Sequence, residues 1–182
     1  INTPETILVE DIAQTKANLT SHHILKPVYS RFGEHVIMHP NPERLNIDVS
    51  PSNPWILQER LEGTQYCLQG ICKDGKVLSS VAYFSEFTVS KSSVFFENTG
   101  KGDLGQIIEK VAAHCRYTGI ISFDVMLCDD GSVRPIECNP RATSALHLYG
   151  PDDRIDEAIL HGRTIGCTGT ARRLVLPMWI NL

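Results

Sequence analysis

Two stretches constrain the architecture of this chain more than any others. "QYCLQGICKDGKVLSSVAYF" (65–84) and "IISFDVMLCDDGSVRPIECN" (120–139) each set a short Asp/Gly-containing turn between two runs suited to strands. Asp-Gly accepts the left-handed backbone that a tight hairpin loop requires. Parallel neighbours would instead need crossovers of about a dozen residues or more. Much of the chain is therefore committed to antiparallel pairing.

The remaining segments fit the same plan. "TILVE" (6–10) predicts a short strand, and "EDIAQTKANL" (10–19) a short helix from its apolar spacing. "HILKPVYS" (23–30) and "HVIMHP" (35–40) predict a third hairpin with "SRFGE" at its tip and Pro40 as its stop. Residues 41–54, rich in proline, predict a loop with at most one helical turn. "WILQERL" (55–61) reads as a strand running towards Gly63. Residues 86–102 read as irregular, with a strand at Val94–Phe96. "LGQIIEKVAAHCRYTG" (104–119) is the clearest helix: Leu104, Ile107, Ile108, Val111 and Ala112 form one apolar stripe, and Gly119 is the expected stop. "DDRIDEAILHGR" (152–163) predicts a late helix capped by Asp152 or Asp153. Strands and helices do not alternate regularly, so the fold class expected is α+β rather than a doubly wound parallel sheet.

Composition narrows the function classes. A chain of 182 residues with 42% hydrophobic residues can bury a sizeable core, as one domain or two small lobes. A net charge of −4 with no basic stripe argues against nucleic acid as a partner. No apolar run approaches the roughly 18 residues of a membrane span, and no signal peptide is visible. The first residue is Ile1 rather than Met, so an upstream part is expected. Six cysteines, several inside apolar runs, lack metal-finger spacing and are expected to be buried free thiols of a cytoplasmic protein. Tyr83–Phe84 and Phe95–Phe96 are expected in the core, and His22 and His23 on the surface.

The second hairpin carries the chemistry. Folding Asp124 back towards Glu137 and Asn139 converges two carboxylates and an amide oxygen at one end of the hairpin. Hard cations such as Mg²⁺ take such oxygen ligands and keep room for phosphate oxygens. A cation also relieves the mutual repulsion of two close carboxylates. Pro140 stiffens the exit, and Arg141 offers a guanidinium fork suited to a phosphoryl group. A surface hairpin of solvated acids is the alternative that spacing alone leaves open.

"FDVMLCDDGSVRPIECNPR" (123–141) resembles the metal-binding hairpin of the ATP-grasp superfamily: an Asp on one strand, a Gly turn, then Glu-x-Asn-Pro-Arg. Three further stretches resemble that family in order. They are "INTPETILVEDIAQ" (1–14), "HILKPVYSRFG" (23–33) and the adenine-hinge-like "WILQERLEGTQY" (55–66). The resemblance, which covers residues 1–148, extends to carboxylate–amine ligases and to carbamoyl-phosphate-synthase-like members.

The resemblance implies an ATP-grasp fold: two α+β lobes whose antiparallel sheets grip a nucleotide between them. The small lobe would be 1–58, with a phosphate-loop hairpin, and the large lobe 59–182, with the metal-binding hairpin. Lys26 would reach the α-phosphate and adenine region. Ser30, Arg31 and Gly33 would lie in the phosphate loop, and Gln58, Glu59, Arg60 and Leu61 would frame the adenine. Gln65 stands where the family usually has a ribose-binding Glu. Asp124, Glu137 and Asn139 would hold Mg²⁺, or Mn²⁺ in its place, and Arg141 would serve catalysis by steadying the transferred phosphoryl group or the substrate carboxylate. His147 would touch a substrate carboxylate or pack in the core. The implied activity is ATP-dependent: a carboxylate is activated as an acylphosphate and captured by an amine. Small-molecule carboxylates and amines would be the partners, with a homo-oligomer or an upstream domain as a further one. The alternative is a non-catalytic or split nucleotide-binding module that needs an upstream domain or partner chain. The family's upstream lysine and substrate domain would precede residue 1, and the phosphate loop here has one glycine where many members have several.

Overall fold

The computed structural model describes residues 1–30, 35–89 and 92–173. It divides into two compact units, Thr3–Glu62 and a second that begins at Gly63 and includes Ile1–Asn2. Every named strand pair is antiparallel. The α+β class expected from the hairpins is the class observed.

The first unit is built on three strands in the order β1-β3-β2: β1 (Thr6–Val9), β2 (His23–Pro27) and β3 (Trp55–Glu59). Helix α1 (Ile12–Asn18) follows β1 and starts at Asp11, whose Oδ1 accepts the Ala13 N–H at 2.8 Å. Alternation along the strands turns Val9, Leu25, Trp55 and Leu57 into one apolar cluster closed by Leu45. The hairpin expected over 23–40 is reduced to a single bridge between Leu25 and Ile37 (N···O 3.1 and 2.8 Å). Pro40 has no N–H to give a ladder and restricts His39 before it, so pairing stops after one residue pair. The tip, 31–34, lies outside the described residues. Residues 41–54 form the expected loop, with no helix.

The second unit holds six strands in the order β8-β7-β4-β5-β6-β9. They are β4 (Gly63–Lys73), β5 (Lys76–Val89), β6 (Ser92–Asn98), β7 (Gly119–Cys128), β8 (Val133–Asn139) and β9 (Ala171–Arg173). Asp74 and Gly75 turn the β4–β5 hairpin with φ of 49° and 83°, the double left-handed geometry expected of that dipeptide. Helix α2 (Gln106–Cys115) lays Ile107, Ile108 and Ala112 on one face of the sheet, against Tyr66, Leu68, Phe123 and Val125. On the other face Ile71, Val81, Tyr83 and Phe96 pack with Ala145, Leu148, Tyr149 and Ala158 from the segments after β8. Tyr83 and Phe96 meet edge to face at 5.9 Å, the core role expected of them. The β7–β8 pairing contains a bulge: Asp124 faces Glu137 and Val125 faces Pro135, so Ile136 is the extra residue.

Several expectations are corrected. The segment read as irregular is mostly strand, β5 running on to Val89 and β6 spanning Ser92–Asn98. Its Ser/Lys stretch separates two short strand-favouring runs, Phe87–Val89 and Val94–Phe96, and pairing with sheet neighbours joins each to the sheet. Helix α2 ends at Arg116 in a left-handed turn (φ 50°), before Gly119, which instead opens β7. All six cysteines are free, as expected, but Cys115 and Cys138 are exposed.

The late helix α3 (Ile155–His161) is not capped by an aspartate. Left-handed Arg154 precedes it, and Asp153 ends a separate 3-10 turn, Pro151–Asp153. Buried Asp153 accepts the N–H groups of Gly150 (2.8 Å) and Thr168 (3.0 Å) through Oδ2. Burial opposes its ionisation, but the N–H groups of Thr168 and Gly150 outweigh that and hold its carboxyl below the ordinary range. A carboxyl lowered on folding takes up its proton first in the unfolded chain. Its stabilisation is therefore complete above the unfolded value of about 3.9 and is lost as pH falls through the folded value. Asp153→Ala, which orphans both donors, is expected to cost about 1–3 kcal/mol at pH 7. It should also lessen the fall in urea midpoint with acid pH; an identical acid limb would refute this role.

Candidate functional site

The β7–β8 register decides which side chains meet. Asp124 lies directly across from Glu137, and Ser122 from Asn139. Phe123 and Val125 point into the α2 core, so Asp124 points to the opposite face of the sheet. Asn139 Nδ2 donates to Glu137 Oε1 at 3.0 Å, tying two of the three expected ligands together. Asp124 is half-buried and Glu137 exposed.

The next residue in the row is Cys67 on β4, paired with Asp124, and beyond it Tyr83 on β5. Burial, then the Asp124 carboxylate beside it, pushes the Cys67 thiol far above its ordinary value; burial does the same to the Tyr83 phenol. Both groups stay neutral at pH 7, so the negative charge of the row is concentrated at its outer end, on Asp124 and Glu137.

This donor set fits a hard divalent cation. Two carboxylates and an amide carbonyl are all oxygen, which suits Mg²⁺ better than softer metals. Among the described residues no three His, Cys, Asp or Glu side chains converge, so a cation here would take its remaining ligands from solvent or a bound anion. Arg141 follows two residues after Asn139. Its N–H bonds the Asn139 carbonyl at 2.7 Å, and its exposed side chain reaches the Ala142 carbonyl from Nη1 at 3.1 Å. Gln65 is exposed on β4 opposite Met126. His147 is exposed on a 3-10 turn (Ser144–Leu148), not in the core.

The other expected site residues belong to the first unit. Lys26 lies opposite Ile56, and Gln58 opposite Ile24, on the sheet face away from the Leu25–Trp55–Leu57 cluster. Gln58 is buried and donates to Thr6 Oγ1 at 2.8 Å. Glu59 Oε2 accepts the Glu5 N–H at 3.1 Å. Arg60 pairs with Glu62 at 2.9 Å and lies 3.2 Å from His39 Nδ1, and its N–H bonds the His22 carbonyl. Leu61 is half-buried, and Ser30 is exposed beyond the end of β2. Arg31 and Gly33 lie outside the described residues.

A family model described as the ATP-grasp domain matches residues 1–145. The chain belongs to the ATP-grasp family. Solved structures carry the same fold at low identity. Phosphoribosylamine–glycine ligase from Thermotoga maritima superposes with a TM-score of 0.67 at 13% identity, over 93% of this chain and 53% of that one. Carboxyaminoimidazole ribonucleotide synthase from Aspergillus clavatus, solved with ATP, gives 0.64 at 12%, over 92% and 50%. L-amino acid ligase from Bacillus licheniformis gives 0.57 at 15%, over 81% and 41%. This ATP-grasp chain thus spans about half the length of the structures it matches. No curated protein matches it in sequence. No helix among its described residues is long and apolar enough to cross a membrane.

Sequence reasoning passed over Gln69, Ser122 and Thr143, which bond to one another behind the hairpin. The available signal was slight: an amide within the apolar run "YCLQGIC" and a serine within "IISFDV".

Proposed function

We propose that this ATP-grasp chain is the nucleotide- and metal-binding part of a ligase that forms C–N bonds. A small-molecule carboxylate would take the γ-phosphoryl group of Mg-ATP to give an acylphosphate and ADP, and an amine would then capture the acyl group with release of phosphate. One observation carries the reading: Asp124, Glu137 and Asn139 stand side by side on one sheet face, in a chain of this family. These three residues would hold Mg²⁺ (Mn²⁺ as a substitute), and when bound the cation would neutralise charge on the terminal phosphates.

Lys26, Ser30, Arg31 and Gly33 would contact the phosphates. Gln58, Glu59, Arg60 and Leu61 would frame the adenine, with backbone groups of the segment doing much of it, because the Gln58, Glu59 and Arg60 side chains already have partners in their own unit. Gln65 would bond the ribose. Arg141 would steady the transferred phosphoryl group. We take the two compact units as the two lobes, nominally 1–58 and 59–182. The six free thiols support a reducing, cytoplasmic setting.

A second reading, a nucleotide-binding module that needs an upstream domain or partner chain for turnover, is favoured by Gln65 in place of the family's usual ribose-binding Glu and by the single glycine of the phosphate loop. Calorimetric titration of ATP with and without Mg²⁺, followed by ADP release in the complete protein with carboxylate and amine pairs, separates the two. Mg²⁺-dependent binding with ADP release supports the ligase. Binding without ADP release from any pair favours the module, and no binding sinks both.

A further inference from the structure

Gln69 is wholly buried in β4, between Leu68 and Gly70, and its Nε2 has no hydrogen-bond partner among the described residues. An apolar side chain there would avoid that loss. What the amide provides is its oxygen. Oε1 accepts the Thr143 N–H at 2.8 Å and lies 3.1 Å from Thr143 Oγ1 and 3.4 Å from Ser122 Oγ. Flipping the amide would set an N–H against the Thr143 N–H, donor to donor, so the orientation is fixed.

Two hydroxyls lie against this oxygen and a third, Tyr83, against one of them, each with one proton to give. Ser122 Oγ is 3.1 Å from the Arg141 carbonyl and 3.2 Å from Thr143 Oγ1, and Tyr83 OH is 3.1 Å from Thr143 Oγ1. One assignment uses every proton once: Tyr83 donates to Thr143, Thr143 donates to Gln69 Oε1, and Ser122 donates to the Arg141 carbonyl. Gln69 then accepts two bonds with its two lone pairs. The turn that leaves β8 is pinned at the Arg141 carbonyl and at Thr143, both just past the arginine side chain and shortly after Asn139. The pins come from β4, β5 and β7, all interior strands, whereas β8 is an edge strand.

We propose that Gln69 is a positioning residue for the cation site: through Thr143, with Ser122 holding the Arg141 carbonyl beside it, it fixes the 139–143 turn, and with it the aim of Asn139 and Arg141. This rests on the nucleotide and metal site proposed above. A buried amide that forgoes one partner to anchor a turn supplies specificity of placement rather than net stability.

The test uses the complete protein and two readouts. Gln69→Leu is expected to speed amide exchange in residues 139–143 about ten-fold or more, with β4 and β7 staying protected. It should also weaken Mg²⁺-dependent ATP binding about ten-fold, because support for the ligands is lost. ATP binding without Mg²⁺ should stay as in the wild type, a split that general destabilisation would not give. Thr143→Val, which keeps the N–H bond and loses the hydroxyl relay, should show about a third of each effect on a logarithmic scale. It carries the test should Gln69→Leu fail to fold. Thr143→Ser should behave as wild type. Wild-type exchange at 139–143, or wild-type Mg²⁺-dependent affinity, in the two disruptive variants overturns the inference. A wild-type protein that binds no Mg-ATP overturns the functional reading instead, whatever the exchange shows.

Discussion

Glu137→Gln is expected to lower Mg²⁺-dependent ATP turnover by the complete protein about a thousand-fold, a loss of roughly 4 kcal/mol of transition-state stabilisation. The substitution is nearly isosteric and keeps the oxygen that accepts from Asn139 Nδ2. It removes one of the two charges that would hold the cation. Glu137 is exposed, so stability should change by no more than about 0.5 kcal/mol. The measurement is ADP release against Mg²⁺ concentration, with thermal unfolding alongside. Turnover within three-fold of wild type would remove Glu137 from the metal set. Lost turnover with a much lower melting temperature would mean that the hairpin had been damaged, not its charge.

Gly63→Ala is expected to destabilise the second unit by about 3 kcal/mol or more. Gly63 opens β4 opposite Cys128, with a φ of 142° that side chains rarely adopt. A Cβ there would collide with the Leu127 carbonyl oxygen and stand 2.8 Å from Cys128 Cα. Both are backbone atoms and cannot rotate away, so β4 would have to part from β7 where they meet. For a chain of this size the melting temperature should fall by about 6–12 °C. A fall under about 2 °C would show that the pairing at this end yields easily.

Legibility in the sequence followed how local each signal was. The Asp74–Gly75 turn, the α2 stripe and the β7–β8 hairpin are set by neighbours within a dozen residues, and all three are present. Of residues 86–98 only the strand at Val94–Phe96 is legible, because the rest of the pairing comes from elsewhere: β6 is held between β5 and β9, and β9 lies more than seventy residues on. The reverse error fell on 35–40, where suitable residues found no ladder beyond Ile37. At the candidate site, Asp124 and Glu137 could be paired on paper because one hairpin joins them. Gln69 could not, because its partner Thr143 is 74 residues away and only the folded sheet brings them together.

The extra residue in the β7–β8 ladder has a consequence of parity. In a regular strand Val133 and Glu137, four apart, would stand on the same side. Here Val133 packs with Leu127 against the α2 core while Glu137 faces Asp124 across the opposite side. Ile136 is the phase shift that lets one short strand serve oil on one side and charge on the other. Regular pairing that kept Ile136 in the ladder would put Val133 and Glu137 on one side, and one of them would then point the wrong way. A search for such hairpins that assumes strict alternation would discard this one, because its two halves are out of step by one residue.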